Sequence, residues 1–193
     1  MSERVCPWWL GYLLINPARR LLQNPDRILQ AYVKSGAVVL DVGCAMGFFT
    51  LPLARLVGER GRVIAIDLQE RMIRSLERRA RKAGLSAWIE ARTCTSSSLG
   101  IDDLAGRIDF ALAFAVLHEV QYMRAALVSI GRSLRPGGLL LIAEPKDHVS
   151  VEEFDRTTAT AGECGFDIVG SPTIRRSRSL LLSRRADPET NRG

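Results

Sequence analysis

Histidine is scarce in this sequence and cysteine is scattered. The 193 residues hold two histidines, His118 and His148, and four cysteines, Cys6, Cys44, Cys94 and Cys164. No Cys-x-x-Cys occurs, which leaves no ligand set of recognisable spacing for a structural zinc. Four distant thiols in a chain long enough for a full core suit a reducing compartment better than a disulfide framework. Long hydrophobic runs are missing too. The longest near the start, Trp8 to Ile15, falls well short of the ~20 residues that span a bilayer. Arg4 and this run imitate a signal peptide, but Pro7, Gly11 and two tryptophans fit an h-region poorly. A cytoplasmic protein with no membrane span is expected. No internal repeat is visible. Neither sign of charge dominates: 27 Lys and Arg oppose 21 Asp and Glu, for a formal net charge of +6. The arginines are spread along the chain, so anionic partners are favoured only mildly and no stable nucleic-acid partner is expected.

What is present is an ordinary globular composition. Hydrophobic residues are 47% and charged residues 25%. At roughly 100–200 residues per domain this is one domain with a short appendage. From residue 36 onward, apolar runs alternate with amphipathic segments. Strands are predicted at 38–42, 62–66, 87–93, 108–114, 139–143, 166–171 and 179–183. Helices are predicted at 47–57, 69–83, 124–134 and 152–163. In the second helix Met72, Ile73, Leu76 and Ala80 form the apolar stripe, with Glu70–Arg74 and Glu77–Arg81 paired on the wet face. Strands alternating with helices predict an α/β, doubly wound, mostly parallel sheet with helices on both faces. Ligands of such sheets bind at the carboxyl ends of the strands. Pro136-Gly-Gly is read as the turn into the fifth strand. Residues 1–35 stand apart as an N-terminal helical cover, 36–185 form the main domain, and 186–193 make a polar tail.

The sharpest motif is Val39-Leu-Asp-Val-Gly-Cys-Ala-Met-Gly-Phe-Phe-Thr50. An acid at a strand end, Asp41, is followed by the small residues Gly43, Ala45 and Gly47. Such residues let a ligand approach the backbone and let the chain turn. A second acid, Asp67, ends the next strand, where a carboxylate can accept both hydroxyls of a ribose. The dinucleotide fingerprint G-x-G-x-x-G is not met, because Phe48 stands at the third glycine and Ala45 at the second.

The order Asp-x-Gly-x-Ala-x-Gly, with Asp67, Leu134-Arg-Pro-Gly-Gly138 and Asp109-Phe-Ala-Leu-Ala-Phe-Ala-Val-Leu-His-Glu119, resembles class I S-adenosylmethionine-dependent methyltransferases of the small-molecule branch. The resemblance covers about residues 36–183. It implies a seven-stranded Rossmann-like methyltransferase sheet with the last strand antiparallel. It implies S-adenosylmethionine as cofactor and a small-molecule acceptor. By position, Asp41, Gly43, Cys44, Ala45 and Gly47 would line its methionine and ribose side, Asp67 would bind the ribose and Leu68 the adenine. Ala113, Phe114 and Ala115 would face the methionine moiety. Thr95 and Ser96 stand where relatives place an Asp-Ala or similar pair near the adenine amine, and Ala45 replaces the usual middle glycine. Both are departures from the pattern.

In-line methyl transfer needs a base only if the acceptor must lose a proton. By position, His118, Glu119 and Glu144 are the candidates, with His118 and Glu144 chosen as catalytic. His118 also reads as a packing residue in its turn, and Glu144 as a partner of Lys146. Cys44 and Cys94 read as small buried hydrophobes rather than metalloid ligands. The Trp-rich start, Cys6-Pro-Trp-Trp-Leu-Gly-Tyr12, suits a lid over the acceptor; plain packing and membrane-surface contact are the alternatives. RNA or protein methylation is a competing function, supported by Arg78–Arg81, Arg175–Arg178 and Arg184–Arg185. A cofactor-binding module without catalysis is a third. The sequence leaves the oligomeric state open.

Overall fold

A computed structural model describes residues 23–186. The N-terminal cover before Gln23, with its tryptophans, and the tail after Ala186 lie outside the described residues. A five-residue helix α1 (Pro25–Leu29) comes first, capped by the Asn24 side chain on the Asp26 and Arg27 amides. Then follow β1 (Val38–Val42), α2 (Thr50–Val57), β2 (Arg62–Asp67), α3 (Glu70–Lys82), β3 (Ile89–Thr93) and β4 (Ile108–Phe114). The chain closes with α4 (Met123–Ser133), β5 (Leu134–Pro145), α5 (Val151–Glu163), β6 (Phe166–Gly170) and β7 (Ser177–Arg184). These make a seven-stranded sheet in the order β3-β2-β1-β4-β5-β7-β6. β7 runs antiparallel between β5 and β6, and the pairings from β3 to β5 are parallel.

Period-two alternation divides the core between the two faces of the sheet. Val39, Val63, Ala65, Phe110, Leu112 and Leu141 point to α1, α2 and α3. Leu40, Ile64, Ile66, Ala111, Leu140 and Ile142 point to α4 and α5. The α3 stripe of Met72, Ile73, Leu76 and Ala80 is buried as the sequence predicts. Arg74 pairs with Glu70 at 2.6 Å, but Glu77 and Arg81 form no pair.

Among the boundaries that differ from the sequence reading, three have a local cause. The first long helix starts at Thr50, not 47, because Ala45 and Gly47 have left-handed φ of 47° and 84° and hold residues 45–49 in turns. β3 starts at Ile89 because Ser86–Trp88 makes a 3-10 turn. β5 begins at Leu134, not 139. Leu134 already pairs with Ile108, and Pro136-Gly-Gly is a bulge inside the strand rather than a turn before it.

The order reverses between β1 and β4. Their following loops lead to opposite sides and leave a crevice at the strands' carboxyl ends. Every feature described next lies on that edge.

Candidate methyl-donor and acceptor site

The crevice is a cavity of ≈ 1720 Å³. A pocket for one drug-sized ligand is typically ~300–1,000 Å³, so two molecules can lie side by side. Of the residues named from the sequence, Gly43, Cys44, Ala45, Asp67, Leu68, Thr95, Ser96, Phe114, Ala115, His118 and Glu119 line it. Asp41, Gly47, Ala113 and Glu144 lie behind the wall. Phe48, Phe49 and Phe114 make an apolar side, with the Phe49 and Phe114 ring centres 4.4 Å apart.

The loop after β1 takes its shape from packing. A Cβ on Gly43 would stand 2.4 Å from Val116 Cγ2, and one on Gly47 2.5 Å from Leu76 Cδ1. Both glycines therefore make room for neighbouring side chains as well as for a turn. Ala45 carries the same left-handed backbone with a Cβ. Such a conformation costs an L-residue about 1–2 kcal/mol, against about 0.5–1 kcal/mol of extra chain entropy for glycine. Ala45→Gly is therefore expected to stabilise the fold by about 0.5–1 kcal/mol, read from urea midpoints. An unchanged or lower midpoint contradicts this account.

Two carboxylates serve that loop. Asp67, at the end of β2, accepts the Ala45 amide on Oδ2 at 2.9 Å and the Gln69 amide on Oδ1 at 2.8 Å. Burial raises its pKa, against the lowering effect of those two bonds. Each oxygen keeps a lone pair for a ligand hydroxyl. Asp41 points to the α2 face and is 2% exposed. Its Oδ2 accepts the Thr50 hydroxyl at 2.6 Å. Burial pushes its pKa up from 3.8 to about 7; the Thr50 bond opposes this and the Asp67 charge adds to it.

The Asp41 shift has a stability consequence. Between about pH 4 and about 7 the folded state holds a proton that the unfolded chain has released, so stability falls as pH rises through that window. Asp41→Asn cannot ionise. The variant is expected to gain on the wild type in urea midpoint from pH 4 to pH 7. Parallel pH curves refute it.

On the opposite wall a 3-10 turn, Leu117–Glu119, follows β4. The Glu144 carboxylate near the end of β5 holds it. Glu144 is 1% exposed, and Oε1 accepts the Leu117 amide at 2.8 Å while Oε2 meets His118 Nδ1 at 2.5 Å. Glu144 Oε2 accepts and Nδ1 donates, so in the neutral imidazole Nε2 carries the lone pair. Burial pulls the His118 pKa down, but the bond and charge of Glu144 outweigh it, with Glu119 and Glu153 adding less; the result is raised above 6.5. Glu119 Oε1 lies 3.9 Å from Nε2.

A methyltransferase domain model matches residues 33–170. The chain belongs to the methyltransferase domain family. Its fold is that of class I S-adenosylmethionine-dependent methyltransferases, and S-adenosylmethionine is the cofactor. A ubiquinone biosynthesis O-methyltransferase of Methylocella silvestris is 39% identical over 108 residues, which is 56% of this chain and 40% of that protein. A ubiquinone/menaquinone biosynthesis C-methyltransferase of Escherichia fergusonii is 31% identical over 112 residues, 58% of this chain and 44% of that one. The chain thus spans less than half the length of these curated relatives. A solved methyltransferase structure from Aquifex aeolicus superposes with a TM-score of 0.81 at 23% identity, covering 93% of this chain and 98% of that one.

In this methyltransferase the sequence reading missed three residues. Thr50 caps Asp41, but nothing in the sequence ties a hydroxyl nine positions on to a strand-end acid. Val116 sets the space beside Gly43, which only the packing reveals. His148 lines the cavity, and its position just after β5, as one of two histidines, was a usable signal. Cys44, Cys94 and Cys164 are free thiols. Burial raises the pKa of Cys44 and Cys94, which suits packing rather than reactive thiolates.

Proposed function

We propose that this chain transfers the methyl group of S-adenosylmethionine to a small-molecule acceptor by in-line displacement. His118 acts as general base and Glu144 holds it in place. The observation that carries this reading is the buried Glu144 carboxylate fixing the His118 ring through Nδ1, in the cavity that Asp67 and the Ala45 loop also line. The residues present fit the donor. Asp67 has free lone pairs for the ribose, Leu68 and Ser96 flank the adenine position, and Gly43, Cys44 and Ala45 would lie along the methionine moiety. When bound, the donor supplies a methyl on a sulfonium. The chain's own residues orient the reactants, exclude water through the three phenylalanines and take the acceptor's proton at His118 Nε2. Orientation alone can be worth ~7–11 kcal/mol of barrier.

The small-molecule reading is favoured over RNA or protein methylation by where the arginine stretches fall. Residues 78–81 lie on α3 beside β2 and β3, whereas 175–178 and 184–185 lie at the two ends of β7, across the sheet. Arg176 is paired to Asp147 and Arg185 to Asp167, both at 2.6 Å. Among the described residues these stretches form no continuous track for a polyanion. Among the described residues no helix is long and apolar enough to cross a membrane. The free thiols fit a cytoplasmic location. The N-terminal segment, residues 1–35, is the acceptor cover in this proposal. In its support, Gln23 lines the cavity and its Nε2 donates to the Arg175 carbonyl and the Ser177 hydroxyl, both at 3.3 Å.

The test is calorimetric titration with S-adenosylmethionine and S-adenosylhomocysteine, then acceptor screening with labelled methyl donor. Binding followed by transfer to a small molecule is expected. No binding sinks the reading, and binding without transfer to any acceptor leaves the non-catalytic module in its place.

A further inference from the structure

His118 is not the only imidazole in the cavity. His148, from the loop after β5, also lines it, and the two ring centres stand 6.0 Å apart with an interplanar angle of 83°. These are the only two histidines in the chain, and the fold brings them together from positions thirty residues apart. The loop carrying His148 is braced on both sides. The His148 and Val149 amides bond the Pro145 carbonyl at 3.1 and 3.0 Å. Asp147 pairs with Arg176, Val149 is buried, and Arg178 Nη1 donates to the Val149 carbonyl at 2.8 Å. Yet the His148 ring is exposed and makes no hydrogen bond among the described residues. An imidazole on a braced loop, with unused polar atoms beside the base, is suited to contact a ligand.

We propose that His148 is a second acceptor-contacting residue, and that the two imidazoles together select an acceptor with a hydroxyl nucleophile. This rests on the methyl transfer proposed above. A hydroxyl oxygen has one proton and two lone pairs. One lone pair forms the new O–C bond as the C–S bond breaks and sulfur keeps that pair, and the proton passes to His118 Nε2. The remaining lone pair is left to accept an N–H, which His148 supplies. The spacing suits one shared oxygen. A hydrogen bond of about 2.9 Å added to the ring radius puts the oxygen about 4 Å from each ring centre, and two such arms spanning 6.0 Å meet at about 97°. That is close to the angle between an oxygen's own bonding directions. Carbon nucleophiles offer no second lone pair, and a neutral amine's single pair is consumed in the new N–C bond.

With only two histidines, imidazole NMR on the full chain resolves both rings. The protein is first saturated with S-adenosylhomocysteine, and phenol is then titrated, with toluene as the oxygen-free control. Failure of S-adenosylhomocysteine to bind the wild type overturns the methyltransferase reading itself. With it bound, phenol is expected to move both histidine signals. His148→Ala is expected to weaken phenol at least tenfold without changing toluene affinity, and His148→Gln, which keeps a donor, to recover part of the loss. Movement of the His118 signal alone, phenol affinity within twofold in His148→Ala, an equal loss for toluene, or no phenol binding overturns the inference.

Discussion

In Glu144→Gln, turnover is expected to fall about 10²–10⁴-fold, the usual contribution of a positioned acid–base group, while S-adenosylhomocysteine affinity stays within about threefold. Glu144 lies behind the cavity wall, so its effect reaches the reaction through His118. The carboxylate accepts from two donors, the Leu117 amide and His118 Nδ1. A glutamine can accept from only one of them with its oxygen, and its NH₂ then faces the other N–H. One buried donor is left unpaired at a cost of about 1–3 kcal/mol, and the ring loses its orientation. The pH behaviour gives a readout that needs no acceptor. In the wild type the raised His118 pKa makes a stabilising contribution that is full below the unfolded value of 6.5 and is lost as pH rises through the folded value. Without the Glu144 charge, burial dominates, and the His118 pKa is expected to drop below 6.5, reversing the sign. NMR titration of the imidazole checks this; an unmoved His118 pKa removes Glu144 from the positioning role.

Asp67→Ala carries the other large effect, on donor binding. Two ribose hydroxyls on a carboxylate are worth ~1.5–3 kcal/mol each as charge-assisted bonds. Their combined loss is expected to weaken S-adenosylhomocysteine about 10²–10⁴-fold in calorimetry. The same substitution frees the Ala45 and Gln69 amides, so the loops after β1 and β2 lose their shared anchor. Asp67→Asn separates the two contributions. Its amide keeps one acceptor but turns a donor toward one of those N–H groups, and an intermediate affinity is expected. Affinity within threefold of wild type in Asp67→Ala contradicts the assignment.

These two expectations bracket what could be read without the fold. Local rules sufficed wherever a residue's role depends on its own neighbours along the chain. The strand at 108–114 is apolar at every position but Asp109 because it is covered on both faces. The α3 stripe follows the helical period, and Asp67 stands out as the acid ending a buried strand. From such features the sequence by itself determined the doubly wound sheet, the family and the edge on which the ligands bind. It could not place Asp41 behind the wall, because only the α2 face brings Thr50 to it. Nor could it say that Glu144 holds His118 or that His148 stands beside His118. His118 and His148 come from the loops after β4 and β5 and Glu144 from the end of β5 itself, two strands separated in sequence by a whole helix, and the parallel pairing of Phe114 with Ala143 is what brings them together. The tertiary structure decided these points because the chemistry here depends on which strand ends lie next to each other, and sheet order is a property of long-range packing that no local pattern encodes.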